Sequence, residues 1–117
     1  MNDNFDTDKA KKFLETREGE EKERKEIERK AALSATVDLL KVLFSHTGVE
    51  VYLVGSIIQP YKFHSRSDVD VVLRNFHGDR FEVWTQLEAL IKKNVEVIIF
   101  ENCHFQEHVI KNGYRVL

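Results

Sequence analysis

Residues 51–73, VYLVGSIIQPYKFHSRSDVDVVL, restrict the possible folds more than any other stretch of the chain. An apolar run, Val51 to Val54, stops at Gly55-Ser56, and after eleven further residues a second apolar run opens with Asp68-Val69-Asp70. Alternate residues of a strand face the same way, so Asp68 and Asp70 present two carboxylates about 7 Å apart at Cα. Such a pair repels itself unless a cation sits between the two groups or one of them is protonated. Ligands that are all oxygen favour Mg²⁺ or Mn²⁺ over zinc. A Gly-Ser turn leaving a strand adds backbone N–H groups and a hydroxyl, which suit a phosphate. Phosphate seat and metal-binding carboxylates together read as nucleotide chemistry.

In this order and spacing the residues resemble the Gly-Ser…Asp-x-Asp signature of the nucleotidyltransferase superfamily. More narrowly, residues 31–117 resemble a minimal nucleotidyltransferase (MNT) domain, the antitoxin half of HEPN–MNT toxin–antitoxin pairs. The resemblance implies a third acidic residue on a neighbouring strand, and Glu96 in the β-branched run Val95–Phe100 fits it. An ordinary solvent-facing position on an edge strand is the alternative for Glu96. By the same resemblance Asp68 and Asp70 hold two Mg²⁺ (or Mn²⁺) ions, and Glu96 helps to hold the one that activates the nucleophile. Gly55, Ser56, Ser67, Lys62 and Arg66 become the nucleotide-binding candidates. Lys62, His64 and Arg66 either face the triphosphate or are solvated loop residues, and Ser67 either orients a carboxylate or caps the turn. The chain departs from the family in two places: Ile57 stands where Arg is frequent, and the loop, which holds the sole proline, Pro60, is about one residue longer.

Composition fits one small domain of 117 residues with a formal net charge of −2, which gives no basic field for direct nucleic-acid binding. Cys103, the only cysteine, excludes an internal disulfide and a cysteine-based zinc site. No apolar run approaches the ~18 residues of a membrane span, and the charged N-terminus is unlike a signal peptide, so the cytoplasm is expected.

Residues 1–30 form a charged extension with ten acidic and nine basic residues. Glu18/Lys22, Glu20/Arg24, Glu21/Lys25 and Glu26/Lys30 are helix-stabilising pairs, each worth about 0.2–0.5 kcal/mol. Asp6 or Thr7 can cap the start, and Phe5, Phe13, Leu14 and Ile27 are the main large apolar residues. The helix is expected to continue through Leu33, Val37, Leu40 and Phe44 and to end at His46-Thr47-Gly48. A second helix is expected over Gly78–Asn94 with Phe81, Trp84, Leu87 and Ile91 as its apolar stripe, Trp84 being a core anchor. A third is expected at about Cys103–Lys111, followed by the short apolar tail Tyr114–Leu117. His104-Phe105-Gln106-Glu107-His108 matches an inverted zinc-protease motif, but the chain ends nine residues later without a further ligand, and two ordinary histidines are the better reading.

The expected fold is α/β: a small mixed, twisted sheet with helices packed on it, of the polymerase-β-like nucleotidyltransferase type, with a long N-terminal helix. So small a domain does not readily enclose both a nucleotide and a large acceptor, so a partner is expected to complete the site. The resemblance implies transfer of AMP from ATP to a hydroxyl, a tyrosine of a HEPN ribonuclease toxin encoded by the neighbouring gene, in a hetero-oligomer that silences the toxin. The alternatives are an antitoxin that acts by binding alone and a free-standing transferase for a small hydroxylated molecule.

Overall fold

The computed structural model describes residues 6–117; of the apolar residues noted in the extension, Phe5 lies outside them. Helix α1, Thr7–Phe44, runs for 38 residues, about 57 Å at 1.5 Å per residue. Asp6 caps it by accepting from the Lys9 N–H at 3.0 Å. Its first five turns bury almost nothing, and of the four expected ion pairs Glu21–Lys25 forms, at 3.6 Å, whereas Glu26 turns to Arg29 instead. From Thr36 onward Val37, Leu40 and Phe44 are buried, and the helix stops at Phe44, one turn ahead of Gly48. There the Ser45 N–H and hydroxyl both donate back to the Lys41 carbonyl.

Four strands follow: β1 Glu50–Val54, β2 Val69–Arg74, β3 Val95–Ile99 and β4 Tyr114–Arg115. They make one mixed sheet in the order β3-β2-β1-β4. β1 runs antiparallel to β2 and β4, and β2 runs parallel to β3. A parallel pair needs a crossover, and α2, Arg80–Ile91, supplies it. Asp79 caps α2 through the Phe81 N–H at 2.9 Å. A last short helix, α3, spans Gln106–Asn112, and the apolar tail becomes edge strand β4, extended by a Val116 N–H to Val51 carbonyl bond at 2.7 Å.

Period-two alternation divides the sheet into two faces. Val51, Leu53, Val69, Val71, Leu73, Val95 and Val97 pack on Val37, Leu40 and Phe44 of α1 and Leu87 of α2. The other face carries a smaller core of Tyr52, Val54 and Val72 with Phe100 and Val109. Phe81 departs from the expected stripe. It is 67% exposed, while the core-facing positions of α2 are Val83, Trp84, Leu87 and Ile91, so Trp84 packs on the core as expected. Among the described residues no helix is long and apolar enough to cross a membrane.

Candidate functional site

The candidate residues gather along one lip of the sheet, where β1 ends and β2 and β3 begin. Asp70 is the second residue of β2 and stands in register with Val54 of β1 on one side and Glu96 of β3 on the other. Asp70 and Glu96 are therefore cross-strand neighbours, and alternation puts both on the face opposite α1 and α2. Asp68 lies just before β2 and is exposed, as is Glu96, while Asp70 is half-buried. The sequence expects two carboxylates from one strand and one from its neighbour; Asp70 lies on β2 and Glu96 on β3, and Asp68 stands one residue ahead of β2.

Their electrostatics follow from that placement. Burial, with the charges of Glu96 and Asp68 beside it, raises the Asp70 carboxyl from 3.8 to about 6. A half-buried carboxyl flanked by two like charges holds its proton more tightly than a solvated one. The donor set is three carboxylates, all hard oxygen, which fits a divalent cation of the Mg²⁺ or Mn²⁺ kind. Among the described residues no group of three or more acidic, imidazole or thiol side chains converges on one metal-sized position. The carboxylates share a lip and are not closed into a cage.

Gly55 follows β1 directly, at φ +82, and a Cβ there would overlap Asp70 Oδ2. The left-handed backbone favours glycine, and a side chain there would also displace the Asp70 carboxylate. The chain then makes a single 3₁₀ turn over Gly55–Ile58, closed by the Gln59 N–H donating to the Ser56 carbonyl at 3.0 Å. Gly55-Ser56 thus stands beside the carboxylates, as the spacing predicts. Ile57 is fully buried and belongs to the main core.

The remaining candidates separate. Ser67 accepts from the His64 N–H at 3.0 Å, so its hydroxyl closes the turn. Arg66 and Ser67 line a cavity of about 400 Å³ with Lys92 and Lys93, on the α2 side of the loop. Lys62 is exposed. His104 precedes α3 while His108 lies within it, so the two imidazoles do not share a helical face; the Nδ1 of His108 lies 3.2 Å from Asn112 Nδ2.

One device escapes the sequence. Glu26 and Arg29 of α1 form a buried two-pronged ion pair, Nε to Oε1 and Nη2 to Oε2, both at 2.7 Å. Arg29 Nη1 also donates to the Ile57 carbonyl at 3.0 Å, and the Tyr61 N–H donates to Glu26 Oε1 at 3.0 Å. The Arg29 hydrogen bonds, then the Tyr61 N–H, lower the Glu26 carboxyl to about 2. The pair clasps the first part of the loop that follows Gly55-Ser56, at Ile57 and Tyr61. Its partners are 28 and 35 residues away, beyond any local pattern, and the favourable spacing of Glu26 with Lys30 points elsewhere.

A cavity of about 560 Å³ adjoins the lip on its β3 side. Asp68 and Glu96 line it together with Arg80, Phe81 and Trp84 of α2. The Trp84 indole N–H donates to the Val95 carbonyl at 2.7 Å, which fixes the ring against β3. Comparison with family models, with curated proteins and with solved structures finds no match.

Proposed function

We propose that the protein is a metal-dependent nucleotidyltransferase that moves AMP from ATP to a hydroxyl of a partner protein. The observation that carries this reading is the register of Asp70 with Glu96, beside Gly55, whose left-handed backbone brings the turn close against the Asp70 carboxylate. Asp68, Asp70 and Glu96 would hold divalent cations, which supply charge neutralisation for the attacking and leaving oxygens of an in-line phosphoryl displacement. Gly55-Ser56 would seat the phosphates through backbone N–H groups and the Ser56 hydroxyl. A cation at half-buried Asp70 would displace its proton, so metal binding is expected to weaken as pH falls through about 6. The family resemblance adds the identity of the acceptor, a tyrosine of a HEPN-type ribonuclease toxin that is silenced by the modification, within the polymerase-β-like fold type.

The test is to mix the protein with ATP, Mg²⁺ and the product of the neighbouring gene and weigh both proteins. A gain of one or more AMP masses on the partner is the expected result. An unmodified partner that nevertheless binds would favour a second reading, neutralisation by binding alone. One observation supports that second reading: α1 exposes Phe13 and Leu14 on the part of the helix that leaves the body, and Ile27 at its joint. Modification of neither protein, without binding, would sink both readings.

A further inference from the structure

We propose that the protein pairs with a second copy of itself through α1, the two helices lying antiparallel with Glu21 of one beside Arg24 of the other. The inference goes beyond nucleotidyl transfer and does not depend on it, because the carboxylate lip lies on the sheet face opposite α1. From Ala10 to Ala35, α1 carries a line of residues at alternate steps of four and three, the spacing of a coiled-coil seam. At 3.6 residues per turn this seam falls roughly opposite Val37, Leu40 and Phe44, which pack on the sheet. From Leu14 onward every residue of the seam is exposed. The helix therefore turns its body-facing stripe inward and leaves a second stripe without a neighbour.

The order of residues along the seam selects the occupant. With the midpoint between Lys22 and Glu23, antiparallel pairing sets Ala10 against Ala35, Leu14 against Ala31, Arg17 against Glu28 and Glu21 against Arg24. Apolar meets small and each charge meets its opposite, once on either side of the two-fold axis, and no like charges share a level. A slip of seven residues in either direction instead opposes Leu14 to Arg24 or to Asp38. A parallel pair in register stacks Arg17 on Arg17 and Glu21 on Glu21. Charged residues within a seam fix register and orientation at a cost in stability, and here one arrangement satisfies them all. Phe13 and Ile27, 61% and 67% exposed, sit on one flank of the seam. A hollow of about 590 Å³ opens on that flank between Glu20 and Ile27, and Ile27 of the second copy comes beside Glu20 there. The overlap from Ala10 to Ala35 is about 39 Å long at 1.5 Å per residue, with the two bodies at opposite ends. A polar helix alone is marginal in water, and pairing gives each arm the packed neighbour it lacks.

Sedimentation equilibrium of the full-length protein, up to about 500 µM, is expected to show a monomer–dimer equilibrium with Kd on the order of 50 µM. Arg17→Glu sets like charges against Glu28 and is expected to weaken the dimer about tenfold. The double variant Arg17→Glu/Glu28→Arg restores opposite charges and is expected to return Kd to within about threefold of wild type. Cross-linking tests the orientation without charge changes. Ala10→Cys and Ala35→Cys are made separately in a Cys103→Ser background, which removes the only other thiol. Under mild oxidation the mixture of the two is expected to give a covalent dimer holding one copy of each, and either protein alone almost none. A protein that stays monomeric at about 500 µM overturns the proposal. So does a double charge variant no tighter than Arg17→Glu, or Ala35→Cys that cross-links as readily by itself, which is the mark of a parallel pair. If the protein is monomeric and α1 gains protection from proteolysis only with the neighbouring gene's product, the seam belongs to that partner and self-pairing fails. None of these readouts uses nucleotide transfer, so either reading can fail and leave the other standing.

Discussion

Asp70 is the residue on which the site's energetics turn. Its raised pKa means that ionising it costs folding free energy. Two units correspond to about 3 kcal/mol at face value, and solvent screening of a side chain this exposed reduces that to about 1–2 kcal/mol. The sign is definite. With the folded value above the unfolded one, the stability contributed by protonated Asp70 is present below pH 4 and is lost as pH rises to about 6. Glu96 and Asp68 are the charged groups that face it. Asp70→Asn should therefore raise the metal-free melting temperature at pH 7, flatten the change between pH 4 and 6, and abolish transfer. A calorimetric pH series on both proteins checks this, and an unchanged or lower melting temperature at pH 7 would contradict it. Glu96→Gln should suppress transfer while leaving ATP binding within a few-fold of wild type, as isothermal titration would show; wild-type turnover would return Glu96 to a plain edge-strand position. Gly55→Ala meets both the positive φ and Asp70 Oδ2, so loss of nucleotide binding by at least tenfold is expected in the same titration. All three residues were legible in the sequence. A doublet of carboxylates, a lone acid in a β-branched run and a glycine after a strand are local signals, and their meeting follows from strand pairing alone.

At the scale of elements, the Glu26–Arg29 pair is the joint between α1 and the loop after β1. A buried ion pair is weak evidence for stability, because desolvation cancels much of the attraction, whereas breaking one leaves an unpaired buried charge. Arg29→Ala should strand the Glu26 carboxylate against the Tyr61 N–H and free the Ile57 carbonyl, lowering Tm by roughly 10 °C. The double variant Glu26→Leu/Arg29→Met keeps the volume without the charges and should recover most of that Tm. If the pair positions Gly55-Ser56, the double variant remains weaker in ATP binding despite its recovered stability. If it binds ATP normally, the joint is structural only. No pattern within α1 announces this contact. Charge spacing favours Glu26 with Lys30, and only the tertiary approach of the loop selects Arg29. Phe81 shows the converse: its spacing belongs to the apolar stripe, but in the first turn of α2 it lines the open cavity beside Val95 and Glu96 and stays outside the core.

The whole molecule is a small body with a long lever. Its extents are 75 × 29 × 20 Å and its radius of gyration is 19.4 Å, against about 13 Å for a compact domain of this length. The excess is the start of α1, where Thr7 to Lys25 contributes almost nothing to either core. A polar helix standing alone in water is marginal, and exposed ion pairs such as Glu21–Lys25 add little. Phe13 and Leu14, about 60% exposed, are the apolar groups it offers, and a few such residues can dominate an interface. The sequence shows this extension plainly through its charge run, but it does not show where the extension joins the body, because the joint at Glu26 and Arg29 is made of the same charged residue types. The joint sets the informative cut. Deleting residues 1–22 keeps Glu23, which accepts from the Tyr61 hydroxyl at 3.3 Å, together with the Glu26–Arg29 pair. The shortened protein should fold with Tm within about 2 °C of full length, bind ATP with Mg²⁺ unchanged, and give a markedly smaller radius of gyration in solution scattering. Its grip on the partner should weaken at least tenfold if the lever is a docking arm, and an unchanged partner affinity would make the charged helix a solvated surface only. Deleting residues 1–29 removes the joint as well, and loss of ATP binding in that variant alone would assign the nucleotide loop's support to the clasp and the partner's grip to the lever.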